Sequence, residues 1–423
     1  MPENIFVLGL DEQNLRTLGE LPHLADYRFY PLLSIDELQS GDAVPLRELL
    51  DKAIAQLESF PGSVDAIVGY WDFPVSSMVP MLCARFGLRS ADLEAVVKCE
   101  HKYWSRVEQH KVIDEHPRFG LVDLEHNGGL PEHLDFPVWL KPVKSASSEL
   151  AFKVTDQAEL DNATTEIREG IGRLGKPFEF VLEQLDLPHE IAEIGGQACL
   201  AEQAVGGVQL TVEGYVFGGR VQAYGVVDSV NYPDSTSFLR YQYPSSLPES
   251  VTTRAIELSE RVIRQIGLDN SAFNIEFFWD SDTDRINLLE VNPRHSQSHA
   301  MLFEYVDGVP NHQCMVRLAL GRDPELPRRA GEYGCAAKWF LRRFTDGVVR
   351  RIPTDGEIAH AEREVPGATV RVVPAEGKRL SEMVGQDAYS YELADIFIGA
   401  SDETELIRKY ERCVELLPFE FDD

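Results

Sequence analysis

The feature that most constrains this chain is a pair of alternating segments joined by a polar turn, FNIEFFWDSDTDRINLLEVNPR at residues 273–294. A period of two places large apolar side chains on one face of the first segment and Glu276 on the other, which is typical of a half-buried β-strand. The second segment has the same alternation, and DSDTD between them is a turn. If Asp280 pairs with Ile286, antiparallel register places Glu276 directly opposite Glu290, with Cβ atoms about 5 Å apart.

Two carboxylates facing each other on a largely apolar sheet repel, so this hairpin predicts a bound cation. A divalent ion between Glu276 and Glu290 removes the conflict, and Asn292 lies on the same face as Glu290 by the same alternation. Ligands that are all oxygens favour magnesium. The sequence therefore predicts a magnesium site on one face of the hairpin.

The turn itself resembles the start of an EF-hand calcium loop, because Asp280, Asp282 and Asp284 alternate there. The sixth position of such a loop requires glycine and the twelfth glutamate, whereas this chain has Arg285 and Val291. The pattern also predicts no paired helices around the turn. Calcium is therefore rejected, and the aspartates are interpreted as turn residues.

Length, charge and cysteine usage exclude several classes of protein. A chain of 423 residues is expected to form two to four domains, and it contains no apolar run long enough for a membrane span. The formal charge of −30 argues against nucleic-acid binding, which needs a basic surface, and is interpreted as a solubility feature or as adaptation to a salty cytoplasm. The start, MPENIFVLGLDEQN, lacks the basic region of a signal peptide. Six widely spaced cysteines without a CxxC pair indicate neither zinc nor disulfides, so a cytoplasmic protein is expected.

The order of the strand and helix patterns predicts an α/β chain of three domains. Apolar runs at Ile5 and Ala66, each followed by a turn and a helical pattern, predict a parallel, Rossmann-like layer over residues 1–97. The dinucleotide fingerprint GxGxxG is missing, so NAD is not inferred. Short strands follow from Pro137, including a hairpin around Gly218 and Gly219, and a helix is predicted from about Glu249 to Gly267. We expect a central domain at 98–325 with an α+β lid at about 136–205, and a small C-terminal domain at 326–423.

The segment NIEFF followed by LLEVNPR closely resembles the magnesium-binding end of the ATP-grasp superfamily. The resemblance implies that Glu276, Glu290 and Asn292 hold the metal ions on ATP. It also implies that Arg294 is catalytic and steadies the transferring phosphoryl group or an acyl phosphate. Two Mg²⁺ ions are expected, for which Mn²⁺ can substitute.

Three further segments occur in the order that the family implies. WLKPVKSASS resembles the strand and loop of the lid, CEHKYWSR resembles the first nucleotide-binding helix, and LAEQAV before QLTVEGYV resembles the adenine hinge. Glu202 would then accept from the adenine amino group, Ala204 and Val205 would offer backbone contacts, and Gln209 replaces the usual ribose-binding carboxylate. Serines replace the usual glycines of the lid loop. The resemblance thus implies these nucleotide-binding residues: Lys102, Lys141, Ser147, Ser148, Glu202, Ala204, Val205 and Gln209.

The chain also looks like the branch of carboxylate–amine ligases that includes L-amino-acid ligases, on GYWDFPVSSMVP and YSYELADIFIGASDETEL. The resemblance implies ATP-dependent joining of a carboxylate, in particular an amino acid, to an amine through an acyl phosphate, with release of ADP and phosphate. The partners implied are two small molecules, without nucleic acid or membrane, and a homodimer is left open. One alternative is a biotin-carboxylase-like or purine-pathway carboxylase that activates bicarbonate. Another is a catalytically inactive nucleotide-binding module, against which the intact Lys141 and acidic hairpin argue.

Several residues keep two interpretations at this point. Lys102 is as readily a solvated helix residue as a nucleotide ligand. His295 and His299 either line a substrate pocket or are ordinary loop residues. Asp72 follows a parallel strand at the end where α/β sheets bind ligands. Glu213 is either a site residue or a cross-strand partner, and no role is assigned to it.

Overall fold

The structure is a computed structural model that describes residues 2–39, 41, 44–125, 129–145, 149–383 and 390–422. Helices and strands alternate through most of this length, in agreement with the predicted α/β class. No helix in these ranges combines the length and the apolar character that a bilayer span needs.

The N-terminal layer is a three-stranded parallel sheet in the order β2-β1-β3. Its strands are β1 (Glu3–Leu8), β2 (Tyr27–Leu32) and β3 (Ala66–Val68). Four helices follow or connect them: α1 (Glu12–Gly19), α2 (Ile35–Gln39), α3 (Leu46–Glu58) and α4 (Val75–Phe86). The predicted parallel layer is therefore present, and Asp72 lies just beyond the carboxyl end of β3, at the edge where such sheets bind ligands.

Two short helices lead out of this layer, α5 (Leu93–Glu100) and α6 (Lys102–His110). His101 separates the two helices with a non-helical conformation of φ −82° and ψ 95°. Its Nδ1 accepts a hydrogen bond from the backbone N–H of Trp104 at 3.1 Å. Its Nε2 lies 2.9 Å from the carbonyl oxygen of Gly195. Burial lowers the pKa of His101 to about 4, so the ring is neutral and satisfies both contacts. This cap fixes Lys102 as the first residue of α6.

The lid region contains a four-stranded antiparallel sheet in the order β4-β7-β5-β6. Its strands are β4 (Phe119–Val122), β5 (Val138–Pro142), β6 (Phe152–Val154) and β7 (Cys199–Gln203). The helices α7 (Gln157–Gly170), α8 (Gly172–Leu182) and α9 (His189–Ile194) lie between β6 and β7 in sequence. Leu140 pairs with Ala201 on the buried face, so alternation places Lys141 and Glu202 together on the other face.

The largest sheet has eight antiparallel strands in the order β12-β11-β8-β9-β10-β13-β16-β15. Its first five strands in sequence are β8 (Val208–Phe217), β9 (Arg220–Asn231), β10 (Phe238–Tyr243), β11 (Ser271–Asp280) and β12 (Arg285–Asn292). The others are β13 (Cys335–Arg343), β15 (Ala368–Val372) and β16 (Tyr391–Ala400), and β14 (Val348–Arg351) pairs separately with β17 (Glu420–Asp422). The helices of this part are α10 (Glu249–Ile266), α11 (Ala300–Asp307), α12 (His312–Ala319), α13 (Asp355–Glu364) and α14 (Glu403–Glu415). Because β10 pairs directly with β13, the sheet is continuous across the predicted boundary at residue 326, and the division into three domains stays a prediction.

Two predicted local elements are confirmed. Gly218 and Gly219 connect β8 to β9 with φ values of 58° and 75°, a conformation that glycine adopts without strain. Helix α10 ends at Gly267, whose φ is 81°, and its apolar face packs against Ile275 and Phe277 of β11. The apolar face of the acidic hairpin is therefore buried under α10, and the acidic face is turned toward the lid.

Candidate active site

The two carboxylates of the hairpin face each other as predicted, but through a different register. Glu276 pairs with Glu290, while Asp280 pairs with Arg285 and not with Ile286 as the sequence analysis assumed. The turn is one residue shorter than expected, and a β-bulge lies between Glu276 and Phe277 on the pairing ladder. The extra residue on β12 is Leu289, so the assumed pairing at the turn was wrong while the pairing at the carboxylates was right.

The bulge is held by the guanidinium of Arg106, a residue that is 2% exposed. Its Nη1 donates to the carbonyl oxygen of Leu288 at 3.1 Å, and its Nη2 donates to that of Leu289 at 2.6 Å. Its Nε donates to Glu202 Oε1 at 2.6 Å. A bulge leaves backbone groups without ladder partners, and here one rigid donor fork from α6 satisfies them. Arg106 thereby connects the acidic hairpin to the lid.

Glu276 and Glu290 have opposite electrostatic environments. Burial and the facing Glu290 carboxylate raise the pKa of Glu276 to about 7, and its Oε2 accepts a 2.9 Å hydrogen bond from Gln209 Nε2. Although burial acts against it, the Lys102 ammonium lowers the pKa of Glu290, and the two form an ion pair. The charge of Glu276 is thus poorly compensated, whereas the charge of Glu290 is paired with Lys102, the first residue of α6.

These residues fit a magnesium site. Glu276 is a half-buried carboxylate with a like charge opposite and no cation within ion-pair distance among the described residues, so a divalent ion would relieve the repulsion that contributes to its raised pKa. Asn292 donates through Nδ2 to Asn274 Oδ1 at 3.0 Å, which leaves its amide oxygen as the free ligand atom. Within the described ranges no three His, Cys, Asp or Glu side chains converge on one point. Two carboxylates and an amide leave positions for phosphate oxygens and waters, the usual environment of Mg²⁺ bound with a nucleotide.

The aspartate turn of the hairpin is stabilised by its own contacts. Asp280 accepts from the backbone of Asp282 at 2.9 Å and from the Thr283 hydroxyl at 2.7 Å. Asp284 accepts from Trp279 Nε1 at 2.9 Å and has φ of 52°. These side chains therefore have turn contacts on the exposed end of the hairpin.

Arg294 lies just beyond the carboxyl end of β12 and forms an ion pair with Asp72 of the N-terminal layer. Its Nε donates to Asp72 Oδ1 at 2.7 Å. Asn274 Nδ2 donates to the Arg294 carbonyl oxygen at 3.0 Å, so the backbone at Arg294 is tied to the hairpin. Although burial acts in the opposite direction, Asp72 raises the pKa of Arg294, with further contributions from Glu213 and Glu276. The guanidinium is therefore a fixed positive charge close to the acidic face.

In the lid, Lys141 and Glu202 contact each other. Lys141 Nζ lies 2.6 Å from Glu202 Oε2, and burial lowers the pKa of Lys141. Glu202 is 3% exposed, and although burial opposes it, Arg106 and Lys141 lower its pKa to about 2. Both oxygens of Glu202 are thus bound by cations here, and its expected contact with adenine stays a prediction.

The other predicted nucleotide residues lie around this pair. The backbone N–H of Ala204 donates to the Pro137 carbonyl at 3.0 Å, and Val205 follows it just beyond the end of β7. Gln209 binds Glu276, so a contact with ribose requires it to change partner. The predicted contacts of Ser147 and Ser148 lie outside the described residues. The structure therefore brings Lys102, Lys141, Glu202 and Gln209 to the same region as the acidic hairpin, and their roles toward a nucleotide stay predictions.

Four residues of this region had no assigned role from sequence. The sequence places Asp72 after a parallel strand, allows two interpretations for Glu213 and for His299, and assigns no role to Arg106. Each of them contacts a partner at least 86 positions away in the chain, so no local pattern could reveal the contact. Only the position of Asp72 after a parallel strand was a usable signal.

Comparison with known proteins supports an ATP-grasp fold. Residues 134–300 match the sequence model of the family described as "ATP-grasp domain". A curated relative from Sinorhizobium fredii, called uncharacterized protein y4rH, is 24% identical over 290 residues, which is 66% of this chain and 55% of that protein. The aligned part therefore spans about half the length of this relative.

Two of the solved structures that resemble the whole chain illustrate the range of its relatives. One is the L-amino acid ligase from Bacillus licheniformis, with a TM-score of 0.74, 13% identity and coverage of 100% of this chain and 99% of that one. The other is a biotin carboxylase–ATP complex from Campylobacter jejuni, with a TM-score of 0.68, 16% identity and coverage of 100% and 92%. At such identities the likeness shows the fold and leaves the reaction open.

Proposed function

Because the chain carries an ATP-grasp domain within an ATP-grasp fold, we propose that it is an ATP-dependent ligase that joins a carboxylate to an amine. The observation that carries the proposal is the placement of Glu276 opposite Glu290, with the cations Lys102 and Arg294 beside them. An arrangement of two carboxylates between fixed cations suits transfer of a phosphoryl group, in which the protein mainly positions the reactants and neutralises charge.

Each group has a separate task in this proposal. Glu276, Glu290 and Asn292 would hold magnesium, which supplies charge neutralisation on the phosphates of ATP. Lys102 exchanges its contact with Glu290 for a phosphate contact. Arg294, held by Asp72, faces the oxygens of the phosphoryl group as it moves to the carboxylate.

In the second half of the reaction, the amine nitrogen attacks the acyl-phosphate carbonyl carbon and phosphate leaves. The developing oxyanion needs a fixed positive charge, which the Arg294 guanidinium provides without reorganisation. All six cysteines are buried, and the proposal assigns no covalent nucleophile to the protein. The acyl phosphate is therefore the proposed activated species.

The choice of an amino acid as the acid, and of an amine as acceptor, is supported by the likeness to L-amino acid ligase over the full chain. The likeness to biotin carboxylase keeps bicarbonate activation as the second candidate. The nucleotide side of the site does not distinguish the two. Dependence on bicarbonate, against dependence on an acid and amine pair, separates them.

The test is ADP release measured with pairs of amino acids and, separately, with bicarbonate, with mass detection of the product. We expect Glu290→Gln to abolish turnover while the thermal unfolding transition remains cooperative. The matched control is Asp282→Asn, an exposed carboxylate on the turn of the same hairpin, which is expected to keep full activity. Near-normal activity of the Glu290 variant would disprove the metal assignment. ADP release that needs bicarbonate and no amine would replace the proposal by the second candidate.

A further inference from the structure

A buried carboxylate and an imidazole form a pair beside the acidic hairpin. Glu213 is fully buried in β8, and its Oε1 lies 2.8 Å from His299 Nδ1. The same oxygen accepts the backbone N–H of Ser296 at 3.1 Å, and Oε2 accepts the Tyr224 hydroxyl at 2.8 Å. Burial raises the pKa of Tyr224 well above its usual value, so that hydroxyl keeps its proton and donates. Glu213 therefore acts as an acceptor in all three contacts.

This pairing fixes which ring nitrogen of His299 is free. Because Glu213 accepts, Nδ1 must carry the hydrogen, and Nε2 is left with the lone pair in the neutral ring. Nε2 has no hydrogen-bond partner among the described residues. It is nevertheless not fully enclosed, although the side chain as a whole is only 4% exposed. A carboxylate that orients an imidazole in this way is the usual support for a histidine that accepts a proton from a nucleophile.

The pair lies on the same face as the proposed metal ligands. Glu213 pairs across the sheet with Asn274, and Glu276 follows two residues along β11, a separation of about 7 Å along the strand. The carbonyl oxygen of Arg294 accepts a hydrogen bond from Asn274, and the carboxylates of Glu213 and Glu276 contribute to the raised pKa of Arg294. His299 follows Arg294 by five residues in the connection to α11. The pair therefore lies on the face that carries the proposed metal ligands, where the acyl group would be transferred.

The imidazole is almost fully enclosed by its neighbours. Tyr241 of β10 packs its ring perpendicular to that of His299, with centroids 5.0 Å apart, and burial raises the pKa of Tyr241. Glu213 contacts the ring and Tyr224 donates to Glu213, and the charged groups that act on Tyr241 are Glu276, Arg342, Glu392 and Asp395. Both tyrosines are neutral, so Glu213 is the group that directly bonds and orients the ring.

The neighbouring histidine shows the contrast. His295 is 1% exposed, packs on His312 with ring centroids 4.8 Å apart, and has an enclosed Nε2 without a hydrogen-bond partner. Burial lowers the pKa of His295 well below its usual value. Among the described residues no carboxylate contacts its ring, so it serves as the matched control.

We propose that His299, oriented by Glu213, accepts the proton of the attacking amine. The inference rests on the proposed ligase function. As the C–N bond forms at the acyl carbon, the bond from that carbon to the phosphate oxygen breaks, phosphate leaves, and the proton passes from the amine nitrogen to His299 Nε2. Phosphoryl transfer from ATP to the acid precedes this step and does not use His299.

The test compares two nucleophiles on one enzyme. Hydroxylamine reacts with acyl phosphates without a base and gives a hydroxamate, whereas an ordinary amine needs deprotonation. His299→Asn keeps an amide N–H near the Nδ1 position for Glu213 but removes Nε2. We expect amide formation to fall by about 100-fold or more, as for loss of a general base, while hydroxamate formation stays within a factor of about three. Glu213→Gln is expected to show the same selective loss, and added imidazole is expected to restore part of the amide formation in His299→Asn.

Other outcomes decide against the proposal in distinct ways. An equal loss of both products in His299→Asn would make the pair a structural support of the loop, and an unchanged amide rate would also overturn the role. In the control His295→Gln, any loss falls equally on amide and hydroxamate, and a selective loss there would transfer the role to His295. If wild-type protein forms neither hydroxamate nor ADP with any acid, the proposed ligase function itself fails.

Discussion

Replacing the two facing carboxylates one at a time is expected to change stability in opposite directions. Glu276 has its pKa raised from 4.5 to about 7, so in the metal-free protein its ionised form opposes folding. Glu290 has a lowered pKa because Lys102 is its partner, so its ionised form supports folding. Glu276→Gln therefore stabilises the metal-free protein, Glu290→Gln destabilises it, and both abolish turnover.

The size of the first effect follows from linkage. Ionisation of Glu276 costs about 3 kcal/mol of folding free energy at pH 8, because the pKa rises from 4.5 to about 7 and each tenfold change in an equilibrium constant corresponds to about 1.36 kcal/mol. A raised pKa means that stability is fully present below pH 4.5 and is lost as pH rises to about 7. At pH 5 the same residue costs less than about 1 kcal/mol. For Glu290 the sign is reversed, so its contribution is present at neutral pH and is lost on acidification.

The assay is urea or thermal unfolding of wild type and the two variants, without divalent ions, at pH 5 and pH 8. We expect Glu276→Gln to gain stability at pH 8 and to approach wild type at pH 5, and magnesium with ATP to stabilise wild type more than either variant. Asp282→Asn is the control for removing one negative charge. A loss of stability at pH 8 in the Glu276 variant would refute the repulsion on which the metal site is argued.

Three further predictions concern the surroundings of the site. Arg106→Lys removes the fork that binds Leu288 and Leu289, and is expected to lower the free energy of unfolding by about 2 to 3 kcal/mol in urea titrations. The control is Arg264→Lys, a change at an exposed arginine. Equal unfolding midpoints for the Arg106 variant and the wild type would contradict the role of the fork. Lys141→Met leaves Glu202 paired with Arg106, so the fold is expected to be retained while ATP binding measured by calorimetry weakens about tenfold or more. An unchanged affinity for ATP would show that Lys141 does not bind the nucleotide. All six cysteines are buried, and burial raises the pKa of Cys199 to about 12. Native protein is therefore expected to react with no thiol reagent until denaturant exposes all six, and rapid native labelling would contradict the packing.

Local pattern was enough to predict the elements that carry the site. Alternation identified both strands of the hairpin, and glycine positions identified the β8–β9 connection and the end of α10. These predictions succeeded because each depends on residues that are neighbours in sequence. The facing of Glu276 and Glu290 was also obtained, although two errors cancelled: the turn was taken one residue too long, and the bulge at Leu289 was not foreseen.

The bulge could not be predicted because its cause lies elsewhere in the chain. Leu288 donates its N–H to the Glu115 carbonyl at 2.8 Å, and Arg106 takes the carbonyls of Leu288 and Leu289. Both partners belong to a segment more than 170 residues earlier. The same holds for the contacts of Arg294 with Asp72, which depend on how the sheets pack.

The continuous sheet has a consequence for how this chain can vary through evolution. Strand β13 is hydrogen-bonded between β10 and β16, so a genetic exchange near residue 326 would separate strands that share one ladder. The part before residue 326 would then have β10 as an unpaired edge strand, and unpaired edge strands can pair with other molecules. The segment after residue 326 is thus not expected to be exchanged between proteins as an independent module. Its inheritance is expected to be coupled to that of the acidic hairpin, and insertions should accumulate in the loops that leave the ladder intact.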